Sequence, residues 1–306
     1  MKRFLMILAL AAAALACAVS CKKPCCDNKA KVKHVIVIGL DGWGSRYFAD
    51  DNMPFVHKMM EEGAWTLTKR SVYPTASAMN WGALVSGVDP ILHGFIGNTD
   101  TPTIPPRVLN ENGHFPTMFS LAREAHPDAE IGLSYMWRGI LPVVDTAALS
   151  VYEHFETDDE GAEAETVWAD KYLKEKKPLL AMFYFDMPDG AGHSKGWGSP
   201  EYHDRLTKLD TLIERIVNSV KEAGIYDDSV IILTTDHGGT PEGGHGGPTI
   251  EEIEGPLLFI GKGVKKGYEL QSSIMQFDIG STVTWLLGLK QPQVWVGRPV
   301  FEAFGK

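Results

Sequence analysis

One aspartate, two histidines and six glycines share the fourteen positions of TTDHGGTPEGGHGG, residues 234 to 247. The segment continues SVIILTT, an apolar run that reads as a buried strand. Asp236, His237 and His245 thus stand in a loop with few other side chains, and glycine lets such a backbone turn sharply around an ion. A glycine-rich turn with no ligand fits the segment equally well, so the rest of the chain has to decide.

Two more apolar runs lead to an aspartate. HVIVIGL runs into Asp41, and PLLAMFYFDMP into Asp189, which is followed by Gly-Ala-Gly and then His193. Ligands of open α/β sheets bind beyond the carboxyl ends of the strands. Asp41, Asp189 and Asp236 therefore converge there despite their separation in sequence. An aspartate after a strand also serves as a turn or helix cap, but three histidines beside these positions point to metal. A set of Asp and His without thiolate suits Zn²⁺ better than Mg²⁺.

A nucleophile is on offer at Ser77, where SAMNWGALVSG begins a helix. A hydroxyl there meets free amide donors and a favourable dipole. The same serine could be an ordinary N-cap; metal coordination would make it an attacking oxygen.

The elements that must position these groups alternate. Strands are predicted at 34–42, 178–189, 229–238 and 256–263. Helices are predicted near 53–62, 77–86, 115–125, 160–175, 200–223 and 278–287. The helix from 200 is the clearest, with apolar residues at helical spacing from Leu206 to Val220. Ser199 is its expected N-cap, Pro200 stands in its first turn and Gly224 ends it. The alternation implies an α/β fold with a doubly wound, mostly parallel β-sheet flanked by helices. One hydrolase-sized domain is expected over 33–306, behind a secretion signal and tether at 1–32.

That leader, MKRFLMILALAAAALACAVSC, has a basic start, an apolar stretch and small residues, as an export signal does. It resembles a bacterial lipoprotein signal, with Cys17 or Cys21 as the acylated residue. An exported, periplasmic or cell-surface lipoprotein is expected, held at the membrane only by this lipid. All four cysteines (17, 21, 25 and 26) lie in the leader, so disulfides and thiolate ligands are excluded from the body. A net charge of −10 argues against a nucleic-acid polymer as partner.

GLDG (39–42), PTASAMNWGALVSG (74–87), HGFIGN (93–98), DMPDGAGH (186–193) and DHGG (236–239) follow the motif order of the alkaline phosphatase superfamily. Over residues 33–300 the chain resembles its nucleotide pyrophosphatase/phosphodiesterase branch. The resemblance implies an alkaline-phosphatase-like fold and two Zn²⁺ ions. Asp41, Ser77, Asp236 and His237 would hold one, and Asp189, His193 and His245 the other. It implies Ser77 as a nucleophile forming a phosphoserine, Asn98 as a donor to a non-bridging phosphate oxygen, and Tyr184 lining a nucleobase site. The substrate class is a small phosphate ester. Ala78 departs from the family, which carries an aromatic residue there against the base. Met-Asn-Trp at 79–81 replaces Pro-Asn-His, and the sulfatase pattern is absent after Ser77. No Lys or Arg lies within six residues of Ser77, and Arg70 stands seven before it. A neutral donor suits the monoanion of a diester, so phosphodiesterase is preferred over phosphomonoesterase. A surface lipoprotein that binds a phosphorylated ligand without turnover is the non-enzymatic alternative.

Overall fold

The computed structural model describes residues 31–305, and the leader with Cys17 and Cys21 lies outside them. The apolar run from His34 to Leu40 forms β1, with β5 (Leu180–Phe185) on one side and β6 (Ser229–Thr235) on the other, both parallel to it. Beyond β5 come β3 (Ile131–Tyr135) and the edge strand β4 (Val151–His154), again parallel. Beyond β6 the pattern changes. β7 (Glu254–Gly261) is antiparallel to β6 and to β2 (Ala64–Arg70), and β8 (Tyr268–Glu269) pairs parallel with β2. The order is β4-β3-β5-β1-β6-β7-β2-β8, a mixed and mostly parallel sheet.

The central strands β1, β5 and β6 are buried, His34 at the start of β1 excepted, because helices cover both faces. The described helices are α1 (Pro54–Glu62), α2 (Ser77–Ser86), α3 (Pro90–His93), α4 (Met118–Ala125), α5 (Asp159–Lys176), α6 (Met187–Lys195), α7 (Pro200–Glu222), α8 (Ile250–Ile253) and α9 (Phe277–Leu286). Val35, Val37, Met182, Tyr184, Val230 and Ile232 face α2, α4 and α9. Their neighbours Ile36, Ile38, Phe183, Phe185, Ile231 and Leu233 face α1, α5, α6 and α7. Each such side chain, fully buried, is worth about 1.5–3 kcal/mol of transfer free energy. Ser199 caps α7 by accepting from the Tyr202 N–H, and Gly224 follows its end with φ of 70°.

Register does the work of assembling the site. Leu40 pairs with Phe185 on one side and with Thr235 on the other. The next residues, Asp41, Asp186 and Asp236, therefore leave three adjacent strands at the same level. Asp189 is not at a strand end, as the sequence suggested. β5 stops at Phe185, and Asp189 sits in the first turn of α6, one turn before His193. Pro188 and two glycines hid this short helix.

The helix that carries Ser77 is buried at every residue and lies tightly against α9. A Cβ on Gly280 would come 2.1 Å from the Leu84 carbonyl oxygen, so only glycine allows this approach. On the other face Glu165 of α5 is fully buried. Its Oε1 accepts from Ser134 Oγ at 2.5 Å and the Tyr184 N–H at 3.1 Å, while Oε2 has no hydrogen-bond partner. Burial pushes its carboxyl up to about 8, against the smaller downward pull of those two donors.

Two outcomes follow for stability. Gly280→Ala should cost about 1–3 kcal/mol by overpacking, read as a lower urea midpoint. Glu165 is raised in the folded state, so its contribution is present below the unfolded carboxyl range and lost as pH rises through about 8. Glu165→Gln should remove that loss, leaving the variant more stable than the parent by about 1–3 kcal/mol above pH 8. Parallel urea titrations at pH 6 and 9 check it.

Candidate metal and phosphoryl-transfer site

At the carboxyl rim of β5, β1 and β6 the dispersed residues meet. Asp41, Asp236 and His237 form one group, and Asp189, His193 and His245 another, with the potential ligand atoms of each within 4.8 Å of one another. In the first group His237 Nε2 lies 3.5 Å from Asp41 Oδ1 and 3.2 Å from Asp236 Oδ2. In the second His193 Nε2 lies 3.4 Å from Asp189 Oδ2 and 3.1 Å from His245 Nε2. The groups adjoin, because the rings of His237 and His245 stack with centroids 4.0 Å apart.

The three histidines are oriented alike. Nδ1 faces the carbonyl oxygen of Gly243 for His193, of Gly238 for His237 and of Thr75 for His245. A carbonyl only accepts, so each Nδ1 carries the proton and each Nε2 offers its lone pair to the cluster. The carboxylates behave correspondingly. Asp41 Oδ1, Asp189 Oδ1 and Asp236 Oδ2 are buried and have no hydrogen-bond partner. Buried polar atoms are normally paired. Three unpaired carboxylate oxygens facing three imidazole lone pairs are a donor set that fits divalent cations, and zinc by ligand type.

Electrostatics agree with that fit. Burial, then the charge of Asp41, raises Asp236 well above the usual carboxylate range. Burial, Asp41 and Asp186 push Asp189 up to about 9. Burial raises Asp41 too, opposed by hydrogen bonds from Tyr184 and Trp81. His237 is held well below its ordinary value by burial and by the neighbouring His245. Without cations the groups resist ionisation; a cation would reverse that balance.

Ser77 is the first residue of α2, and the N-cap is Ala76, without a side-chain cap. The cap alternative for Ser77 is therefore removed. Its Oγ lies 3.3 Å from His237 Nε2, beside the first group. Asn98 reaches the same helix start from an exposed loop, its Oδ1 accepting the Ala78 N–H at 3.0 Å. That bond fixes the amide orientation and leaves Nδ2 as the group free to donate outward. The nearest basic residues in sequence are turned elsewhere. Arg70 pairs with Glu254, and the fully buried Lys69 donates to Thr235 O and Gln276 Oε1.

Tyr184 lies beneath the site and not at its mouth. Expected to line a nucleobase site, it is fully buried, and its hydroxyl donates to Asp41 Oδ2 at 2.5 Å. It has no open face on which a base could stack. Ala78 is fully buried as well. Three residues escaped the sequence reading. Asp186 forms a third group with Asp41 and Asp189. Trp81 donates to Asp41, and its i+4 spacing from Ser77 was the available signal. Trp197 packs edge-on against His193 and His245 with centroids at 5.3 and 6.0 Å. Its signal lay in Gly192 and Gly239, where a Cβ would meet the indole at 2.5 and 2.3 Å.

Known proteins resemble this chain in sequence and in fold. Mouse ectonucleotide pyrophosphatase/phosphodiesterase family member 1 is 25% identical over 227 residues, which is 70% of this chain and 25% of the relative. Human bis(5'-adenosyl)-triphosphatase is 24% identical over 222 residues, 67% of this chain and 47% of the relative. The chain thus spans between a quarter and a half of the length of these two relatives. Murine ectonucleotide pyrophosphatase/phosphodiesterase 5, solved as an inactive variant in complex with AMP, superposes with a TM-score of 0.73 at 15% identity. That match covers 89% of this chain and 98% of the solved one. The family model for type I phosphodiesterase / nucleotide pyrophosphatase matches residues 35–255, and the chain belongs to that family.

Proposed function

We propose that this protein is a phosphoric diester hydrolase, of phosphodiesterase or nucleotide pyrophosphatase type, that works with two Zn²⁺ ions through a covalent phosphoryl-Ser77 intermediate that keeps the substrate's second substituent. The observation that carries this is the Ser77 oxygen, 3.3 Å from His237 Nε2 and uncommitted to capping its helix. Asp41, Ser77, Asp236 and His237 would hold one ion, and Asp189, His193 and His245 the other. Paired divalent ions lower the pKa of a hydroxyl or water and neutralise charge on attacking and leaving oxygens.

The chain supplies the rest. Ser77 Oγ loses its proton to solvent and forms a bond to phosphorus as the bond to the leaving oxygen breaks. The leaving alkoxide takes up a proton and departs as the alcohol. Water then attacks phosphorus, releasing the phosphate monoester and restoring the Ser77 hydroxyl. Asn98 Nδ2 donates to a non-bridging oxygen as charge builds there, beside the amides that open α2. These donors are neutral, which favours a monoanionic diester over a dianionic monoester. The family membership and the nucleotide-named relatives support phosphoanhydride and phosphodiester substrates. The lipoprotein-like leader supports an exported, lipid-anchored location. Among the described residues no helix is long and apolar enough to cross a membrane.

Turnover of bis(p-nitrophenyl) phosphate should vanish with a chelator and return with Zn²⁺. Ser77→Ala should lower kcat/KM by at least about 10³-fold. Wild-type enzyme acid-quenched during turnover of bis(p-nitrophenyl) phosphate should carry a p-nitrophenyl phosphoryl group on Ser77, and full activity in Ser77→Ala would sink the mechanism. Nucleobase selectivity should be weak, since Ala78 and Tyr184 are both buried. Base–aromatic stacking is worth about 1–3 kcal/mol per base. Without that pair, kcat/KM for p-nitrophenyl thymidine 5'-monophosphate and for bis(p-nitrophenyl) phosphate should agree within about tenfold.

A further inference from the structure

Asp41 uses its two carboxylate oxygens in opposite ways. Oδ2 accepts from the Tyr184 hydroxyl at 2.5 Å and from the Trp81 indole N–H at 2.9 Å. Oδ1 of the same fully buried side chain has no hydrogen-bond partner and lies 3.5 Å from His237 Nε2. Rotating the carboxylate out of this plane would break both bonds to Oδ2 and turn Oδ1 away from the cluster. Hydrogen bonds to an ionised acceptor are about twice as strong as neutral ones, so this orientation is strongly held.

The donors themselves are fixed. Tyr184 and Trp81 are fully buried, and their rings pack edge to face with centroids 5.0 Å apart. The Trp81 ring occupies space that a Cβ on Gly39 would invade, 2.6 Å from its Cη2. Glycine at that position of β1 is what admits the indole. The Tyr184 hydroxyl also reaches Asp186 Oδ1 at 3.3 Å, and its backbone N–H is held by Glu165. The donors come from different elements, Tyr184 from β5 and Trp81 from α2. Trp81 stands one helical turn after Ser77 on the same face of α2.

We propose that Tyr184 and Trp81 are positioning residues: they grip Asp41 by Oδ2, present Oδ1 to a divalent cation, and through Trp81 tie that carboxylate to the helix that carries Ser77. The inference rests on the reading of Asp41, Asp236 and His237 as a cation site. It gives Tyr184 a task beneath the site in place of contact with substrate. Partners of metal ligands of this kind change metal affinity by about 10–100-fold when removed.

The test is metal binding by the full chain. Tyr184→Phe removes the hydroxyl and keeps the ring; Trp81→Phe removes the indole N–H. Chelated protein is titrated with Zn²⁺ against a chromophoric chelator, and the visible spectrum of the Co²⁺-loaded protein is recorded. Tyr184→Phe should weaken one of two Zn²⁺ sites by about 10–100-fold, leave the other unchanged and shift the Co²⁺ d–d bands. The melting temperature of the metal-free protein should stay near that of the parent. Unchanged affinity and spectrum in Tyr184→Phe would overturn the proposal. So would equal weakening of both sites together with a lower metal-free melting temperature, which marks a merely structural role. Tyr184→Phe decides alone if Trp81→Phe fails to fold. A parent protein that binds neither Zn²⁺ nor Co²⁺ would overturn the cation site itself, a result distinct from a normal parent with an unaffected variant.

Discussion

Repulsion among buried carboxylates is the constraint around which the rim is built. Asp41, Asp186 and Asp236 leave three neighbouring strands at one level, and Asp189 joins them from the first turn of α6. Two unit charges about 4 Å apart interact by about 4 kcal/mol at an effective dielectric of 20. The chain offers little of its own to offset this. Lys69 approaches from below, but its ammonium is spent on Thr235 O and Gln276 Oε1, and burial lowers it to about 7. The side open to a ligand is lined by imidazole lone pairs instead. A fold that gathers acids and then supplies neutral donors to complete the set is organised to receive cations.

The two groups of ligands are mechanically one. Gly42 turns the chain after Asp41 with φ of 70°, and a Cβ there would stand 2.9 Å from Asp189 Cα. Trp197 donates its indole N–H to Gly42 O and packs against His193 and His245. The Tyr202 hydroxyl, which donates to the same carbonyl, also accepts from Gly44 N. The His237–His245 stack closes the circuit. A shift at either group is therefore transmitted through packed rings and glycine contacts that have no slack. The glycines of the opening loop serve this packing as much as they serve flexibility: Gly238 and Gly239 lie where a Cβ would meet Glu251 O and Trp197.

Much of this was legible in the sequence because parallel strands buried on both faces announce themselves as unbroken apolar runs. β1, β5, β6 and β7 were readable, as were α1, α2, α4, α5 and α9, and α7 most clearly from its periodicity and caps. What escaped was short or locally ambiguous. β3 and β4 have five and four residues, β2 alternates with polar side chains, and α6 is masked by proline and glycine. The Asp and His residues could be chosen by type and neighbourhood, yet Asp186 could not, since only strand register sets it level with Asp41 and Asp236. Tyr184 was misread for a related reason. A residue near a strand's end can point to solvent or to the sheet's far layer, and the alternation of β5 sends this ring toward Trp81 and α2.

On the proposed function, charge balance would link the architecture to the choice of substrate. A dianionic phosphate needs more positive charge at its free oxygens than a monoanionic one. Beyond the metal ligands, the groups beside Ser77 are the start of α2 and the amide of Asn98, a dipole and a neutral donor. Arg70 is drawn off to Glu254 at the surface, and Lys69 is sealed beneath the sheet's end. With the proposed cations held by Asp41, Asp189 and Asp236, the second negative charge of a monoester would still find no cationic side chain among these groups beside Ser77. A diester brings one charge and a second substituent, and the exposed loop at Asn98 leaves the mouth open to that substituent. On the proposed function, the neutral donors that accompany the cations would match an ester with one charge better than one with two.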